Sequence, residues 1–135
     1  MTATVGPAGT SIWSRVGTLA VAFVIGAVDG AVATVGHRQT LQVGDVSLPW
    51  GLLAALVGVA ALLVGIRLVA GGRGAAAAAA VGIVGMVALL TLPGPGGSVV
   101  VVGDLVGTIW SVGPALISVL VVAWPKLPSA RRDPA

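Results

Sequence analysis

Asp29 is the residue whose type and position most suggest chemistry. It lies inside the apolar run I-W-S-R-V-G-T-L-A-V-A-F-V-I-G-A-V-D-G-A-V-A-T-V, residues 12–35. A carboxylate within a membrane-spanning helix costs on the order of 3 kcal/mol on insertion scales, and such groups mark proton or cation paths. Counted from Ile12, Asp29 lies roughly 26 Å along a helix, in the outer third of a span. Water also reaches that depth, so a hydrated or packed helix residue is the competing reading. His37 follows on the same helix, about 12 Å further on and about 80° round from Asp29. The two share a face without touching. A relay between them needs water, and a plain interfacial histidine is the alternative. Asp29 and His37 form the candidate ion or proton site.

Few other residues qualify. The chain has no Cys, no Tyr and one His, and its four acidic residues are all Asp. There is no disulfide framework, thiolate metal site or Cys nucleophile to consider. A single His without Cys or Glu does not build a zinc site. Any enzyme here would work with Asp29, His37, Asp45 and Asp104, which offer no nucleophile–base pair and no carboxylate dyad. Gly94-Pro95-Gly96-Gly97 precedes a β-branched run rather than a helix, so it is not a phosphate loop. The expectation is a protein that is not an enzyme and holds no metal or cofactor.

The elements that must position these groups are dictated by composition. Of 135 residues 57% are hydrophobic and 8% charged, against roughly 25% charged in soluble domains. The net charge of +3 does not indicate nucleic acid, because the basic residues sit at the ends of apolar runs rather than in a patch. Four runs are long enough to cross a bilayer, which takes about 20 helical residues. They cover 12–35, 48–70, 74–92 and 105–124. Each is apolar all round, without the one-sided pattern of a soluble helix. Gly36–Ser47, Gly71–Gly74 and Leu92–Ser98 hold the breakers between them, and Pro125 and Pro128 end the last run. Residues 1–124 thus read as one membrane domain, and 125–135 as a polar, disordered cytoplasmic tail. The fold class is an all-α membrane protein, a four-transmembrane-helix bundle.

Charge sets the orientation. Arg15, Arg67, Arg73, Lys126, Arg131 and Arg132 share one side, and Arg38 stands with Asp45 and Asp104 on the other. By the positive-inside rule both termini are cytoplasmic and the protein is a multi-pass component of the cell membrane, with the lipid bilayer as its first partner. Arg15 and Arg67 lie just inside span ends, where long side chains snorkel. Trp13 and Trp124 mark the inner interface, Trp50 and Trp110 the outer one. Arg15, the apolar segment 16–28 and Ala31-Val32-Ala33 also read as a secretory signal with a cleavage site. A retained first span is preferred, since the run is long for a signal and Asp29 sits awkwardly before the site.

V-G-D occurs at 43–45 and again at 102–104, each time a few residues ahead of a Trp and a long apolar run. This suggests two parallel helical hairpins related by an axis along the membrane normal. The alternative is two outer turns that need the same chemistry, Gly for a positive φ and Asp to bond its own backbone. T-L-Q-V-G-D-V-S-L alternates around its Gly-Asp turn, and S-V-V-V-V is β-branched throughout. Short extracellular β-like strands from these two loops are expected to pair over the bundle.

Small residues mark the helix faces. Gly26 and Gly30 form one GxxxG, and Gly103 and Gly107 another, continued by Ser111. Gly51, Gly58 and Gly65 recur every seven residues with Ala54 and Ala61 between. Such spacing lets backbones approach closely. The heptad glycines form a seam against another span of this chain or against a second protein, the former being preferred. Gly113-Pro114 predicts a kink. Ser111 and Ser118 either line a polar path or bond their own helix carbonyls. The alanines 75–80 read as a helix start of low complexity.

The outer segment L-T-L-P-G-P-G-G-S-V-V-V-V-G-D, the following G-T-I-W-S-V-G-P and the L-P-W-G that opens the second span carry a resemblance. Over about residues 35–122 the chain resembles a family of small uncharacterised four-helix integral membrane proteins from actinobacteria. Gly94, Gly96 and Gly97 stand where that family often has an acidic residue and an Arg. The resemblance implies a class and a host, with no activity, cofactor or site residue to carry over. Small multidrug-type exporters also have four spans, but they use a Glu in the first span and aromatic lining residues. This chain has no Glu, no Tyr and one Phe, Phe23. The expected function is an accessory or scaffold component of the membrane, with a membrane-protein partner or a homo-oligomer. A small oligomeric transporter or channel using Asp29 is the alternative.

Overall fold

In the computed structural model the described residues are 11–70, 72–92 and 104–125. Helix α1 spans Ile12–Gly36, α2 Trp50–Ala70, α3 Arg73–Thr91 and α4 Leu105–Ala123, with strands β1 at Leu41–Val43 and β2 at Val46–Leu48. All four helices are long and apolar enough to cross a membrane. Their ends fall within two residues of the runs read from sequence. The second run loses Leu48 and Pro49, because Leu48 belongs to β2 and Pro49 leads into the helix.

Local chemistry explains the boundaries. Ser11 caps α1, its hydroxyl accepting from the Ser14 N–H at 3.2 Å. Asp104 caps α4 by accepting from the Gly107 N–H at 2.8 Å. Each cap satisfies one of the donors a helix start leaves open. The connection between α1 and α2 is a two-stranded antiparallel hairpin in which Val43 faces Val46, leaving Gly44 and Asp45 as its two-residue loop. Gly44 has φ +61° and Asp45 does not share a positive φ. That is the backbone of a type II′ turn, whose first central residue favours Gly. The expected partner of this segment was the β-branched run 98–102, which lies outside the described residues. The segment folds back on itself, since a two-residue turn closes at little entropic cost.

Contacts fix the helix directions. Gly26 lies against Ala79 and Gly30 against Ile83, so α1 and α3 run parallel. Gly113 lies against Leu56, and Arg67 of α2 reaches Val121 of α4, so α2 and α4 also run parallel. Gly51 meets Gly36 and Gln39, which makes α1 and α2 antiparallel. The two hairpins are therefore parallel to each other. α1 packs on α3 and α2, α4 packs on α2 and α3, and α1 and α4 take opposite corners. A two-fold along the membrane normal would instead put α1 diagonal to α3. The α1–α3 seam keeps those two helices side by side.

That seam is backbone against backbone. A methyl group at Gly26 would collide with the Ala79 carbonyl, and one at Gly82 with the Phe23 carbonyl. The alanines read as low complexity supply the matching face: Ala75, Ala76, Ala79 and Ala80 are buried. Lipid is as apolar as leucine, so burial alone does not drive helices together in a bilayer; close packing of small residues does. The core continues through Leu52, Ala55, Val59 and Leu63 of α2, Ile83 and Val87 of α3, and Trp110 of α4. Helix α4 runs on through Pro114, which is buried.

Candidate functional site

The two candidate residues come to lie in different surroundings. At the hairpin end, the last turn of α1 meets the first turns of α4. Thr34 sits there because α1 repeats its buried positions at Ala22, Gly26, Gly30 and Thr34, one stripe of a helix. Its hydroxyl donates to the Gly30 carbonyl at 2.6 Å. The same oxygen accepts the indole N–H of Trp110 at 3.0 Å. His37, 1% exposed, lies flat on Trp110 with ring centroids 5.4 Å apart and planes 13° from parallel. Its Nδ1 bonds the Thr34 carbonyl, one of the acceptors a helix end leaves open. Its Nε2 is buried without a partner among the described residues.

Two expectations are corrected here. His37 is not an interfacial histidine, and Trp110 is not part of an outer aromatic belt: it is wholly buried, whereas Trp13, Trp50 and Trp124 are exposed. An indole inside a bundle needs a partner for its N–H, and Thr34 provides it across the bundle. Sequence reasoning missed Thr34. Its only signal was a place on the Gly26–Gly30 stripe.

The next residue closes the same end. Arg38 forms an ion pair with Asp104 at 2.6 Å. The Gly107 N–H, and then Arg38, hold the Asp104 carboxyl below its ordinary value. One carboxylate oxygen thus caps α4 and ties it to the end of α1.

Asp29 takes no part in this cluster. Among the described residues its buried Oδ2 has no hydrogen-bond partner, and no hydrogen bond joins it to His37. Ser118 is in the same condition, buried with its hydroxyl unpaired, while Ser111 bonds the Gly107 carbonyl of its own helix at 2.8 Å. Among the described residues no three His, Cys, Asp or Glu side chains cluster.

The packing glycines also divide. Gly26 and Gly30 pack on α3, and Gly51 packs on Gly36 and Gln39, its N–H donating to the Gln39 carbonyl at 2.9 Å. Gly107 is buried in the first turn of α4; Gly103 lies outside the described residues. Gly58 and Gly65 have nothing within 4 Å of where a Cβ would stand. Of the heptad glycines only Gly51 closes on another part of the chain; Gly58 and Gly65 fall on a flank of α2 beside its Leu52–Val59–Leu63 core face, and Gly65 lines the open gap between α2 and α1.

At the other end Arg67 donates to the Val121 carbonyl at 2.6 Å and Arg73 to the Trp124 carbonyl at 3.1 Å. Arg67 is thus more than a snorkelling side chain: both arginines satisfy open carbonyls at the C-terminus of α4, where a cation also suits the helix dipole. Between α1 and α2, on this same half of the molecule, runs an apolar groove of about 680 Å³. Comparison with protein-family models, with curated proteins and with solved structures finds no match to this chain.

Proposed function

We propose that this chain is a non-enzymatic accessory or scaffold component of the cell membrane, with its arginine-bearing end in the cytoplasm, which holds another membrane protein against α2. One observation carries the reading. Ala54 and Ala61 are exposed, and Gly58 between them has nothing within 4 Å of where a Cβ would stand. Small residues on a lipid-facing stripe gain nothing from lipid, whereas they let a second helix approach closely. Native mass spectrometry of protein gently extracted from its host membrane tests this. A stoichiometric foreign subunit that is lost on Gly58→Leu, with the fold intact, supports the proposal. A bare monomer overturns it, and so does a subunit that survives Gly58→Leu.

The unpartnered carboxylate of Asp29 supports a second reading, a small oligomeric transporter or channel. A homo-oligomer in the same experiment would favour it. Proton-coupled flux in proteoliposomes should then vanish in Asp29→Asn; absent flux, or flux that survives the change, removes it.

A further inference from the structure

The groove between α1 and α2 is walled by Val21, Ala22 and Ile25 on one side and Leu62, Ile66 and Val69 on the other. It exists because the two helices close at only one end. At the hairpin end Gly51 sits against the backbone of Gly36 and Gln39. Toward the arginine end α1 is held by α3 through Gly26 and Gly82, while α2 diverges to reach α4. Residues 12–20 of α1 are all exposed as a result.

Three features specify the occupant. The first is length. On α1 the lining runs from Ser14 to Ile25, roughly 16 Å of helix, which is about half of a hydrocarbon core about 30 Å thick. The groove spans one leaflet and stops. A partner helix, about 10 Å across, would need a furrow through the whole membrane. The second is polarity. The deep part is aliphatic, and the mouth carries the hydroxyls of Ser14 and Thr18. The third is charge. Arg15 lies in the turn between those hydroxyls, and its guanidinium makes no ion pair or hydrogen bond among the described residues. Arg67 and Arg73 add charge at this end, where no acidic residue lies among the described residues, while Arg38 at the other end is offset by Asp45 and Asp104. Basic sites between spans hold acidic lipid headgroups.

We infer that this groove binds one anionic phospholipid of the arginine-side leaflet, an acyl chain lying between α1 and α2 and the phosphate meeting Arg15. The groove takes in Gly65 but not Gly58 or the exposed Ala54 and Ala61, so it stands whether or not a protein partner docks on those three.

The test is native mass spectrometry of the purified chain released from vesicles of equal phosphatidylglycerol and phosphatidylcholine. The expected result is one retained lipid per chain, with phosphatidylglycerol preferred about fivefold, the factor that one cation near a headgroup supplies. Arg15→Gln should keep a bound lipid and bring that preference close to even. Gly17→Leu fills the groove without a clash, since nothing lies within 4 Å of that Cβ, and should abolish retention. Gly58→Leu, which tests the partner reading, should leave lipid binding unchanged. Equal retention of both lipids by the wild type would overturn the inference. So would retention that neither variant alters, or a lipid-free dimer. Arg15 is exposed, so its variant remains informative even where Gly17→Leu fails to fold.

Discussion

The imidazole of His37 lies on the indole of Trp110, 5.4 Å between centroids, and both rings are closed off from the surface. One residue ends α1 and the other begins the second turn of α4, so the stack joins two helices that hardly touch elsewhere. Thr34 pins the indole through its N–H. Substitution of His37 should separate ring packing from polarity. His37→Ala removes a buried ring and should cost about 2–4 kcal/mol, by the cavity it leaves. His37→Phe keeps the stack and deletes the unpaired Nε2, and should cost less than about 1 kcal/mol. Unfolding in detergent, followed by Trp emission, distinguishes the two. Equal losses would show that the imidazole nitrogens, rather than the ring, hold this end together.

The glycines of the α1–α3 seam should behave unlike others on α3. Gly26→Val drives a side chain into the Ala79 backbone and should destabilise by about 1–3 kcal/mol or more, because neither backbone can yield. Gly85, which has open space beside it, should accept Ala with no loss and a small gain in helix propensity. Thermal melts of the two variants in one detergent check the contrast.

The Arg38–Asp104 tie makes the hairpin end acid-sensitive. The folded Asp104 carboxyl is held below its ordinary value, first by the Gly107 N–H and then by Arg38. A depressed carboxylate contributes stability that is fully present above its unfolded value and is lost as pH falls through the folded one. The melting temperature of the wild type should therefore decline on acidification below the ordinary carboxylate range. In Asp104→Asn that part of the decline should be missing, at a lower starting stability. Circular dichroism melts across that range provide the measurement.

Asp29 should behave as a liability to the fold. Its buried, unpartnered oxygen adds nothing that a leucine would not, and a charge at that depth is costly. Asp29→Leu should raise the melting temperature. A fall would mean that the carboxylate has a partner in the bilayer, such as a bound cation.

Much of this architecture was legible in the residues taken in order. Four apolar runs without polar faces must be spans, since a chain so poor in charge has no other solvent. Gly44-Asp45 between alternating residues must turn a hairpin, because it places Gly where φ is positive. Ser11 and Asp104 cap their helices from positions that any local reading finds. Pairing between distant faces was not legible in this way. Gly26 and Gly58 look alike in sequence, yet one is pressed on Ala79 and the other faces open space. Trp110 resembles Trp50 as an interfacial tryptophan, yet it is buried under His37. The groove could not be found on either helix alone, because it is the gap left where α1 follows α3 and α2 follows α4. A periodic pattern specifies which residues share a helix face. Which face meets which is settled by how closely four backbones can approach one another, and that depends on all four helices together.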